Sequence, residues 1–434
     1  MKIKEILTST KGKLINEINL DDEINQIKIN SKLVENNDIF LALIGENKDG
    51  HDYINEAIEK GAKLIITSKK INNNIPYILV DDTTKALGSI ASYMINKFHP
   101  KVIAVTGSVG KTTTRNLIYN LLKNKYNILT NEKNYNNNIG VPLTIFNLNK
   151  ETDILLLELG MNHLNEISYL SKMIKPNVSI ITNIGSSHIG NLKSKENILK
   201  AKLEILDGME EKILFVNGDD EYLKTIDTPY KSGFNKNNNL IGYDIESNLY
   251  KSSFKINYEN KEYKININLP YHLLNNVMLA INIALYYKIS MEDIIKTLKN
   301  YKTYNMRMNI IKDKKNNIII NDCYNSSFES LTGILKVLEK ENQNKLLILG
   351  DINELGHLSK EIHQNIKPYL DKINNKKIIL IGKEMKNLKI DALYFSGYKE
   401  TIDYLKTQNI ENTMILIKAS RSLKLENITN FFVN

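Results

Sequence analysis

The sequence contains few of the residues that cross-link a chain or anchor it in a membrane. Its 434 residues include one cysteine, Cys323, seven prolines, 20 glycines and no tryptophan. A single cysteine cannot form an internal disulfide, which excludes a disulfide-stabilised secreted scaffold and fits a reducing compartment. No stretch reaches the ~20 consecutive apolar residues of a transmembrane helix. The N-terminal segment also lacks the apolar core of a signal peptide, so we expect a cytoplasmic protein.

The overall composition is that of an ordinary folded protein. Hydrophobic residues make up 42% of the chain and charged residues 25%, which excludes wholesale disorder. At roughly 150 residues per domain, a chain of this length predicts about three domains. The 58 Lys and Arg residues exceed the 49 Asp and Glu residues by nine. Spread over the whole chain, this excess is weak support for a nucleic-acid or membrane partner.

Hydrophobic patterning divides the chain at two places. His99-Pro100 follows a helical pattern, and the helix should end there because proline disfavours α geometry in the residue before it. Strand-like apolar runs then alternate with stretches of helical spacing, and the alternation resumes beyond Met306. The pattern predicts an α/β fold with mostly parallel sheets. The three predicted domains are 1–99, 100–305 and 306–434.

Two local patterns give finer expectations. Apolar and polar residues alternate on both sides of Glu259-Asn260, which predicts a β-hairpin at the edge of the second domain. In the third domain, the spacing of apolar residues predicts one continuous helix over Ser359–Leu370.

A phosphate-binding loop is predicted after the apolar strand Val102–Thr106. Glycines let backbone amides turn toward an anion, the following helix adds its positive N-terminal end, and Lys111 and the Thr112 hydroxyl suit phosphate and Mg²⁺. The spacing differs from the common GxxxxGK[ST] pattern, which would place a glycine at Val105. The alternative is a tight turn without a ligand. The predicted nucleotide-binding residues here are Gly107, Ser108, Val109, Gly110, Lys111, Thr112 and Thr113.

Further motifs follow the phosphate loop in a fixed order. They are NYNNNIGVP (134–142), LELGMN (157–162), TNIG (182–185) with His188, AKLE (201–204), DCYN (322–325), LGDINELG (349–356) and KASR (418–421). Together they resemble the Mur ligase family of cell-wall peptide ligases over about residues 30–430. In the first domain, DIFLAL (38–43), GE (45–46) and DGHDY (49–53) resemble one branch of that family.

The resemblance implies both an architecture and a reaction. Its central domain is a P-loop parallel-sheet ATPase, flanked by a small N-terminal α/β domain for the UDP-sugar peptide and a Rossmann-like C-terminal ligase domain. The branch implies that ATP activates the carboxylate of UDP-N-acetylmuramoyl-tripeptide as an acyl phosphate. The amine of D-alanyl-D-alanine then attacks it, in peptidoglycan precursor synthesis. Implied cofactors are Mg²⁺, two ions in this reading, and a CO₂-derived carbamate on a lysine. We also expect a monomer with no nucleic-acid partner.

Four residues carry the implied chemistry. Lys111 serves the ATP phosphates, and Glu158, at the end of an apolar strand, holds Mg²⁺ with Thr112. His188 and the carbamylated Lys202 serve a second metal position. From the residues alone, Glu158 could be a solvated strand-end carboxylate, His188 a structural or solvated histidine, and Lys202 a solvated helix-surface lysine.

The resemblance also implies contacts to nucleotide and substrates. The nucleotide set comprises Asn137, Asn138, Asn276, Arg307, Asp322 and Asn325; the substrate set comprises Ser31, Lys32, Asp49, Gly50, His51, Ser420 and Arg421. Some positions depart from the family pattern. Asn275 stands where the family has a histidine before Asn276, and Lys32 replaces an arginine and lacks its forked geometry. For Asp49, Gly50 and His51, a purely turn-forming role is equally consistent with the sequence.

Two other functional classes are consistent with parts of the sequence. Another ligase of the same architecture, such as folylpolyglutamate synthetase, would share Lys111, Glu158, His188 and Lys202, but should lack the DGH motif of the first domain. A P-loop regulatory or nucleic-acid-binding ATPase would use the positive charge, but should show lysines and aromatics clustered on one face. Because nucleotide contacts come from two domains, we expect closure about a hinge at about 302–307.

Overall fold

The computed structural model describes residues 1–132, 134–303 and 306–433. Within these residues the strands form three sheets, which follow one another along the chain. The strands are β1 (Lys13–Ile15), β2 (Ile27–Lys28), β3 (Ile39–Leu41), β4 (Leu64–Thr67), β5 (Tyr77–Leu79), β6 (Lys101–Thr106), β7 (Ile128–Thr130), β8 (Ile154–Glu158), β9 (Val178–Ile181), β10 (Leu214–Asn217), β11 (Lys231–Gly233), β12 (Leu240–Ser247), β13 (Ser252–Tyr258), β14 (Lys261–Ile267), β15 (Asn309–Lys312), β16 (Ile318–Asn321), β17 (Lys345–Gly350), β18 (Lys376–Ile381), β19 (Leu393–Phe395) and β20 (Met414–Lys418).

The helices cover the faces of these sheets. They are α1 (Ile3–Thr10), α2 (Ile54–Glu59), α3 (Thr83–Phe98), α4 (Lys111–Leu122), α5 (Gly140–Ile145), α6 (Glu166–Ile174), α7 (Ile189–Leu192), α8 (Lys195–Leu203), α9 (Leu274–Tyr286), α10 (Met291–Lys299), α11 (Phe328–Leu338), α12 (Ser359–Gln364), α13 (Lys367–Asp371), α14 (Tyr398–Lys406) and α15 (Glu426–Val433). None of the helices in the described part of the chain is both long and apolar enough to cross a membrane.

The N-terminal unit, built on β1–β5, has the strand order β1-β5-β4-β3-β2. Strands β2 to β5 are parallel, and β1 joins the edge of the sheet antiparallel to β5. Strand β4 is buried along its whole length, as expected for a strand covered on both faces of its sheet. Helix α3 ends at Phe98, as the sequence predicts from His99-Pro100. His99 adopts a left-handed conformation with φ of +51°.

The central unit, built on β6–β14, has the order β14-β13-β12-β11-β10-β9-β6-β8-β7. Strands β6 to β12 pair with one another in parallel, which confirms the expected βα architecture. Strands β12–β14 extend the sheet as an antiparallel ribbon. Glu259 and Asn260 both have positive φ, 50° and 62°, in the two-residue turn that joins β13 to β14. The predicted hairpin therefore exists, and β14 is the edge strand.

The C-terminal unit, built on β15–β20, has the order β15-β16-β20-β17-β18-β19, parallel except for β15. The prediction of one helix over Ser359–Leu370 is wrong, because the structure divides it into α12 and α13. Pro368 lies at the start of α13. Its ring would clash with the carbonyl four residues earlier if the helix were continuous.

The units share apolar contacts across the expected boundaries. Ala91, Met94 and Ile95 of α3 belong to a cluster of buried residues that also includes side chains of the central sheet. The same cluster continues into the C-terminal unit through Leu331 and Leu335 of α11. The predicted hinge at about 302–307 includes residues 304 and 305, which lie outside the described residues.

Candidate active site

The phosphate loop connects β6 directly to α4, and two of its glycines have no room for a side chain. Gly107 has φ of +150°, and a Cβ atom there would lie 1.8 Å from Oγ1 of Thr182. Gly110 has φ of +83°, and a Cβ atom there would lie 2.5 Å from Oδ1 of Asn276. Glycine is therefore required for both conformation and space. The close approach also places Asn276, one of the nucleotide contacts implied by the resemblance, directly against the loop.

The segment after β9 supports the phosphate loop from one side. The amide of Val109 donates to Oδ1 of Asn183 at 2.8 Å, and the amide of Gly185 donates to Oγ of Ser108 at 2.9 Å. These bonds leave the loop backbone fixed by residues about 75 positions away in the chain. The loop is consequently pre-shaped by tertiary contacts in addition to its own glycines.

The end of the loop presents positive groups toward the cleft. Nζ of Lys111 donates to the carbonyl oxygen of Gly107 at 2.7 Å. Helix α4 begins at Lys111, so the amides of its first turn, including those of Thr112 and Thr113, have no intrahelical acceptor. Such amides, with the helix dipole, favour a phosphate group.

Glu158 accepts a hydrogen bond from the hydroxyl of Thr112 at the end of the phosphate loop. Oγ1 of Thr112 donates to Oε2 of Glu158 at 2.7 Å, and both residues are buried. Nδ2 of Asn136 donates to the other carboxylate oxygen at 3.0 Å. Nη1 of Arg115 lies 3.9 Å from Oε2. Arg115 and Asn136 are site residues that the sequence prediction missed, although Arg115 lies four positions after Lys111 and hence on the same helix face.

The charges around Glu158 keep it ionised. Burial pushes the pKa of Glu158 upward, but the cations of Lys111 and Arg115 outweigh it and hold that pKa below its ordinary value. Burial lowers the pKa of Lys111, and the negative charge of Glu158 opposes that shift. A hydroxyl and an ionised carboxylate side by side are hard oxygen donors of the kind that Mg²⁺ prefers.

Lys202 is buried inside the central unit. It lies on α8 with 1% of its surface exposed, whereas Lys200 on the same helix is exposed. Burial lowers the pKa of Lys202 well below its ordinary value, and the positive charge of Lys111 lowers it further. The two lysines therefore differ in environment, although they lie two positions apart on one helix.

His188 faces the C-terminal unit. It occupies a left-handed conformation with φ of +65° immediately before α7, and its Nδ1 lies 2.8 Å from Oε2 of Glu354. This interaction lowers the pKa of Glu354. Across residues 1–132, 134–303 and 306–433, no group of three or more His, Cys, Asp and Glu side chains could by itself hold a metal ion.

The predicted asparagines after the phosphate loop are placed differently from one another. Asn137 accepts the amides of Ile139 and Gly140 through Oδ1, at 3.2 and 2.8 Å, and so caps the start of α5. Asn138 is exposed. The contact with Glu158 is instead made by Asn136. Neighbouring identical residues cannot be distinguished from sequence when only the local backbone geometry decides which one points inward.

The C-terminal unit contributes a cation and a buried ion pair. The guanidinium of Arg307 stacks on the ring of Tyr324, 4.2 Å from its centroid. Asp322 accepts the amide of Met308 at 3.1 Å and forms an ion pair with Nζ of Lys418, at 2.5 Å. Both carboxylate oxygens of Asp322 therefore have protein partners. These contacts fix the orientation of Asp322, one of the nucleotide contacts implied by the resemblance.

Three other predicted residues of the C-terminal unit have local partners. Asn325 accepts the amide of Ser326 through Oδ1, and its carbonyl oxygen accepts from Lys418. Oγ of Ser420 accepts the amide of Asn353 at 2.9 Å. Arg421 pairs with Glu426 at 2.8 Å, yet 54% of its side chain is exposed, so it can still reach a ligand.

A single cleft of about 1110 Å³ collects most of the predicted residues of the central and C-terminal units. The predicted residues that line it are Ser108, Val109, Gly110, Lys111, Thr112, Thr113, Asn137, Glu158, His188, Asn276, Arg307, Asp322, Asn325, Ser420 and Arg421. Gly107, Asn138 and Lys202 are outside the lining. The cleft is thus formed between the central unit and the C-terminal unit.

The predicted substrate residues of the N-terminal unit lie outside this cleft. Ser31 donates to Glu56 at 2.5 Å, and Lys32 is exposed. The carboxylate of Asp49 receives the amide of His51 at 3.0 Å.

The rest of the DGH motif is packed locally. Asp49 also pairs with Lys69 at 2.5 Å, which lowers the pKa of that carboxyl group. Nε2 of His51 accepts the amide of Ser68 at 3.2 Å. A Cβ atom at Gly50 would lie 2.6 Å from the carbonyl oxygen of Leu43. These contacts match the turn-forming role that the sequence left open.

Comparison with known proteins agrees with this arrangement. Family models match in order: the Mur ligase family catalytic domain over residues 23–125, the Mur ligase middle domain over 105–284, and the Mur ligase glutamate ligase domain over 306–421. The UDP-N-acetylmuramoyl-tripeptide–D-alanyl-D-alanine ligase of Buchnera aphidicola subsp. Baizongia pistaciae is 36% identical over 420 residues, covering 93% of this chain and 91% of the relative. The chain belongs to the Mur ligase family. The Bacillus subtilis ligase of the same name is 32% identical over 98% of this chain and 97% of its own.

Solved structures of Mur ligases share the whole fold. A crystal structure of MurF from Acinetobacter baumannii has a TM-score of 0.91 and 28% identity, covering 99% of this chain and 98% of its own. MurF ligase from Thermotoga maritima, solved in complex with ADP, has a TM-score of 0.84 and 27% identity, covering 94% and 96% of the two chains. The three-domain α/β architecture predicted from the sequence is therefore the Mur ligase architecture.

Proposed function

We propose that this Mur ligase joins D-alanyl-D-alanine to UDP-N-acetylmuramoyl-tripeptide at the expense of ATP. A carboxylate oxygen of the tripeptide attacks the γ-phosphorus, the bond to ADP breaks, and an acyl phosphate forms. The amine of the dipeptide, having lost a proton, then attacks the acyl carbon. The carbon–oxygen bond to phosphate breaks, which releases inorganic phosphate and leaves the new amide.

One structural observation supports this proposal above all. Thr112 and Glu158 meet at the mouth of a phosphate loop, within a cleft closed on its other side by Arg307 and the C-terminal unit. A transferable phosphoryl group held there would lie between two units that can each bring one reactant. Similarity to ligases of this name extends over nearly the entire chain, including the N-terminal unit with its DGH motif.

The phosphate loop binds the ATP phosphates in this proposal. Amides of the first turn of α4 point at the phosphates, and Lys111 neutralises them. Thr112 and Glu158 are the residues that would hold Mg²⁺, which ATP-dependent sites bind through one or two carboxylates together with substrate phosphates. Held by these two residues, the ion would offset the negative charge that develops during phosphoryl transfer.

Lys202 supplies the second part of the cation site. Burial and Lys111 lower the pKa of Lys202, which favours the neutral amine. Its nitrogen can attack the carbon of CO₂ and release one proton to water, which leaves a carbamate anion. The product would be an anion beside a cation, and thus better suited to this buried position than a charged lysine. With His188, the carbamate would serve a second Mg²⁺.

The other predicted residues would bind nucleotide and substrates. Asn276 and Arg307 reach the nucleotide from the two walls of the cleft, and Asp322 and Asn325 complete its surroundings. Ser420 and Arg421 would meet the carboxylates of the dipeptide or tripeptide. The proposed UDP-sugar site lies in the N-terminal unit and comprises Ser31, Lys32, Asp49, Gly50 and His51.

This assignment gives each predicted domain a task. Residues 1–99 hold the UDP-sugar peptide, 100–305 bind and cleave ATP, and 306–434 clamp the nucleotide and present the dipeptide. Because the reaction uses ATP and precedes wall assembly, we place it in the cytoplasm. The expectation of a monomer remains a prediction from the sequence.

An ADP-release assay tests the proposed function. Release should require UDP-N-acetylmuramoyl-tripeptide and D-alanyl-D-alanine together, with formation of an equal amount of the amide product. Lys111→Met should abolish it, whereas Lys123→Met should leave it unchanged, because Lys123 is an exposed residue directly after the far end of the same helix. ADP release that is independent of either substrate would refute the ligase assignment.

A further inference from the structure

One loop of the central unit contacts both the phosphate loop and the C-terminal unit. We define the bridge loop as residues 183–190, which follow β9 and include the first two residues of α7. On one side, Oδ1 of Asn183 accepts the amide of Val109, and the amide of Gly185 donates to Oγ of Ser108. The position of the bridge loop thereby affects the backbone that is proposed to hold the ATP phosphates.

On its other side, the bridge loop is bound by Glu329 of α11. Oε1 of Glu329 accepts the amide of Ser186 at 2.7 Å, and Oε2 accepts the hydroxyl of the same serine at 3.0 Å. A Cβ atom at Gly185 would lie 2.7 Å from the carboxylate carbon of Glu329. The carboxylate thus fits against a glycine and makes two hydrogen bonds to one residue, 143 positions away.

A second contact joins the same two units at the end of the bridge loop. The amide of Gly190 donates to the carbonyl oxygen of Glu354 at 3.0 Å. A Cβ atom at Gly356, whose φ is +56°, would lie 2.8 Å from Cα of Gly190. The backbones can approach this closely only because both residues are glycines. Between these two contacts lies His188, itself 2.8 Å from Glu354.

We propose that Glu329 is a positioning residue of the ligation reaction. Its carboxylate fixes the bridge loop through Ser186, so that docking of the C-terminal unit places His188 and supports Ser108 of the phosphate loop. The site is thereby assembled only when the C-terminal unit is in place. This inference rests on the proposed function, because turnover is its principal readout.

Two substitutions of Glu329 distinguish a positioning role from a role in stabilising helix α11. Glu329 lies in the first turn of α11, where any acidic residue stabilises a helix through the dipole. Glu329→Asp keeps that charge but shortens the side chain by one methylene, so it should lose the contact with Ser186. Glu329→Gln keeps the length but replaces one acceptor with a donor. A positioning role requires both variants to be impaired, whereas a helix-stabilising role spares the aspartate.

The experiment measures steady-state kinetics of the full chain with ATP, tripeptide substrate and dipeptide. We expect kcat of Glu329→Gln and Glu329→Asp to fall about 10–100-fold, since small misplacements of reacting groups cost this much. KM for the UDP-linked tripeptide should stay within about twofold, because its proposed site is in the N-terminal unit. Glu292→Gln, an exposed first-turn acid of α10, is the matched control and should be unchanged.

A double-variant cycle tests whether Glu329 acts through Ser186. Ser186→Ala removes one of the two hydrogen bonds and should lower kcat less than Glu329→Gln does. The double variant should lose no more than Glu329→Gln alone. Amide hydrogen exchange of the peptide covering 183–190 should be faster in Glu329→Gln with ATP bound, while the thermal unfolding midpoint remains near that of the wild type.

The outcomes separate the two proposals. Wild-type turnover in Glu329→Gln, independent losses in the double variant, or unchanged exchange of the bridge loop would each overturn the positioning role. If Glu329→Gln does not fold, Ser186→Ala with wild-type kcat and exchange overturns it instead. Failure of the wild-type chain to make amide from both substrates would overturn the proposed function.

Discussion

The hydroxyl of Thr112 donates a 2.7 Å hydrogen bond to Oε2 of Glu158, although the two residues lie 46 positions apart. Thr112 lies in the first turn of α4, which follows β6, and Glu158 is the last residue of β8. Strands β6 and β8 are parallel neighbours in the central sheet. Neighbouring parallel strands end at the same edge of a sheet, which is where α/β folds bind ligands. The pair is therefore positioned by topology, and its oxygen atoms are held ready for a cation.

Removing the Thr112 hydroxyl should weaken Mg²⁺ use specifically. Thr112→Val keeps the shape of the side chain but leaves Glu158 without its donor. We expect a roughly 10–100-fold increase in the Mg²⁺ concentration needed for half-maximal ADP release. Thr112→Ser restores the hydroxyl and should recover most of the affinity. Equal Mg²⁺ dependence of the valine and serine variants would contradict the metal role.

Replacing Lys202 should abolish ligation without unfolding the protein. Arginine cannot form the carbamate, so Lys202→Arg should lose at least about 100-fold in activity, whereas Lys200→Arg on the exposed face of α8 should retain it. With ¹³C-labelled bicarbonate, a carbamate signal should appear by NMR in the wild type and in Lys200→Arg only. Near-wild-type turnover in Lys202→Arg would eliminate the carbamate assignment.

A methyl group at Gly107 should distort the phosphate loop. The residue has φ of +150° and its Cβ position lies 1.8 Å from Thr182, so Gly107→Ala should cost about 1–3 kcal/mol of stability and raise KM for ATP. Gly397→Ala is the control, because no atom lies within 4 Å of its Cβ position. Denaturant unfolding and ATP titration measure the two effects. A similar result for both variants would show that the loop tolerates a side chain.

His272 should make the protein less stable as the pH falls below neutrality. Burial lowers the pKa of His272 to about 4, against 6.5 for the ordinary residue, with Asp322 opposing and Lys418 adding to the shift. Below pH 6.5 the unfolded chain binds more protons than the folded chain. The contribution of neutral His272 to the free energy of unfolding is therefore fully present only above that pH. It decreases as the pH falls toward 4, by about 3 kcal/mol in total.

The control for His272 is a variant that does not titrate. The thermal unfolding midpoint of His272→Gln should fall less than that of the wild type between pH 7 and 4.5. The carboxyl groups contribute equally to both proteins. The difference in midpoint between the wild type and His272→Gln therefore reports the histidine alone. Parallel midpoints across this range would show that His272 does not determine the acid sensitivity.

Local features of the site could be predicted because they depend on neighbouring residues. The strand, the glycine turn and the helix around Lys111 follow one another within about 20 residues, and each is specified by its own pattern. The hairpin at Glu259-Asn260 and the helix end before Pro100 are of the same kind. The prediction of one helix over Ser359–Leu370 is wrong, because the apolar spacing continues through the segment while Pro368 interrupts the helix.

Residues that meet across the chain could be found only in part. The resemblance indicates Glu158, His188 and Lys202 as candidates. The structure adds that Lys202 is buried whereas Lys200 is exposed. Sequence patterns did not indicate that Asn136, in a run of three asparagines, would be the one to contact Glu158. Arg115 shares a helix face with Lys111, so its spacing could have revealed it.

The sequence by itself determined the family, the three α/β units and the phosphate loop, because periodicity, turn residues and ordered motifs act over short distances. Only the tertiary structure decided that Glu329 binds Ser186, that Glu354 meets His188, and that Asp322 pairs with Lys418. These partners are 96 to 166 positions apart. The first two pairs meet only because the central and C-terminal units pack together, and the third because β16 and β20 are neighbours in one sheet. No local pattern encodes either arrangement.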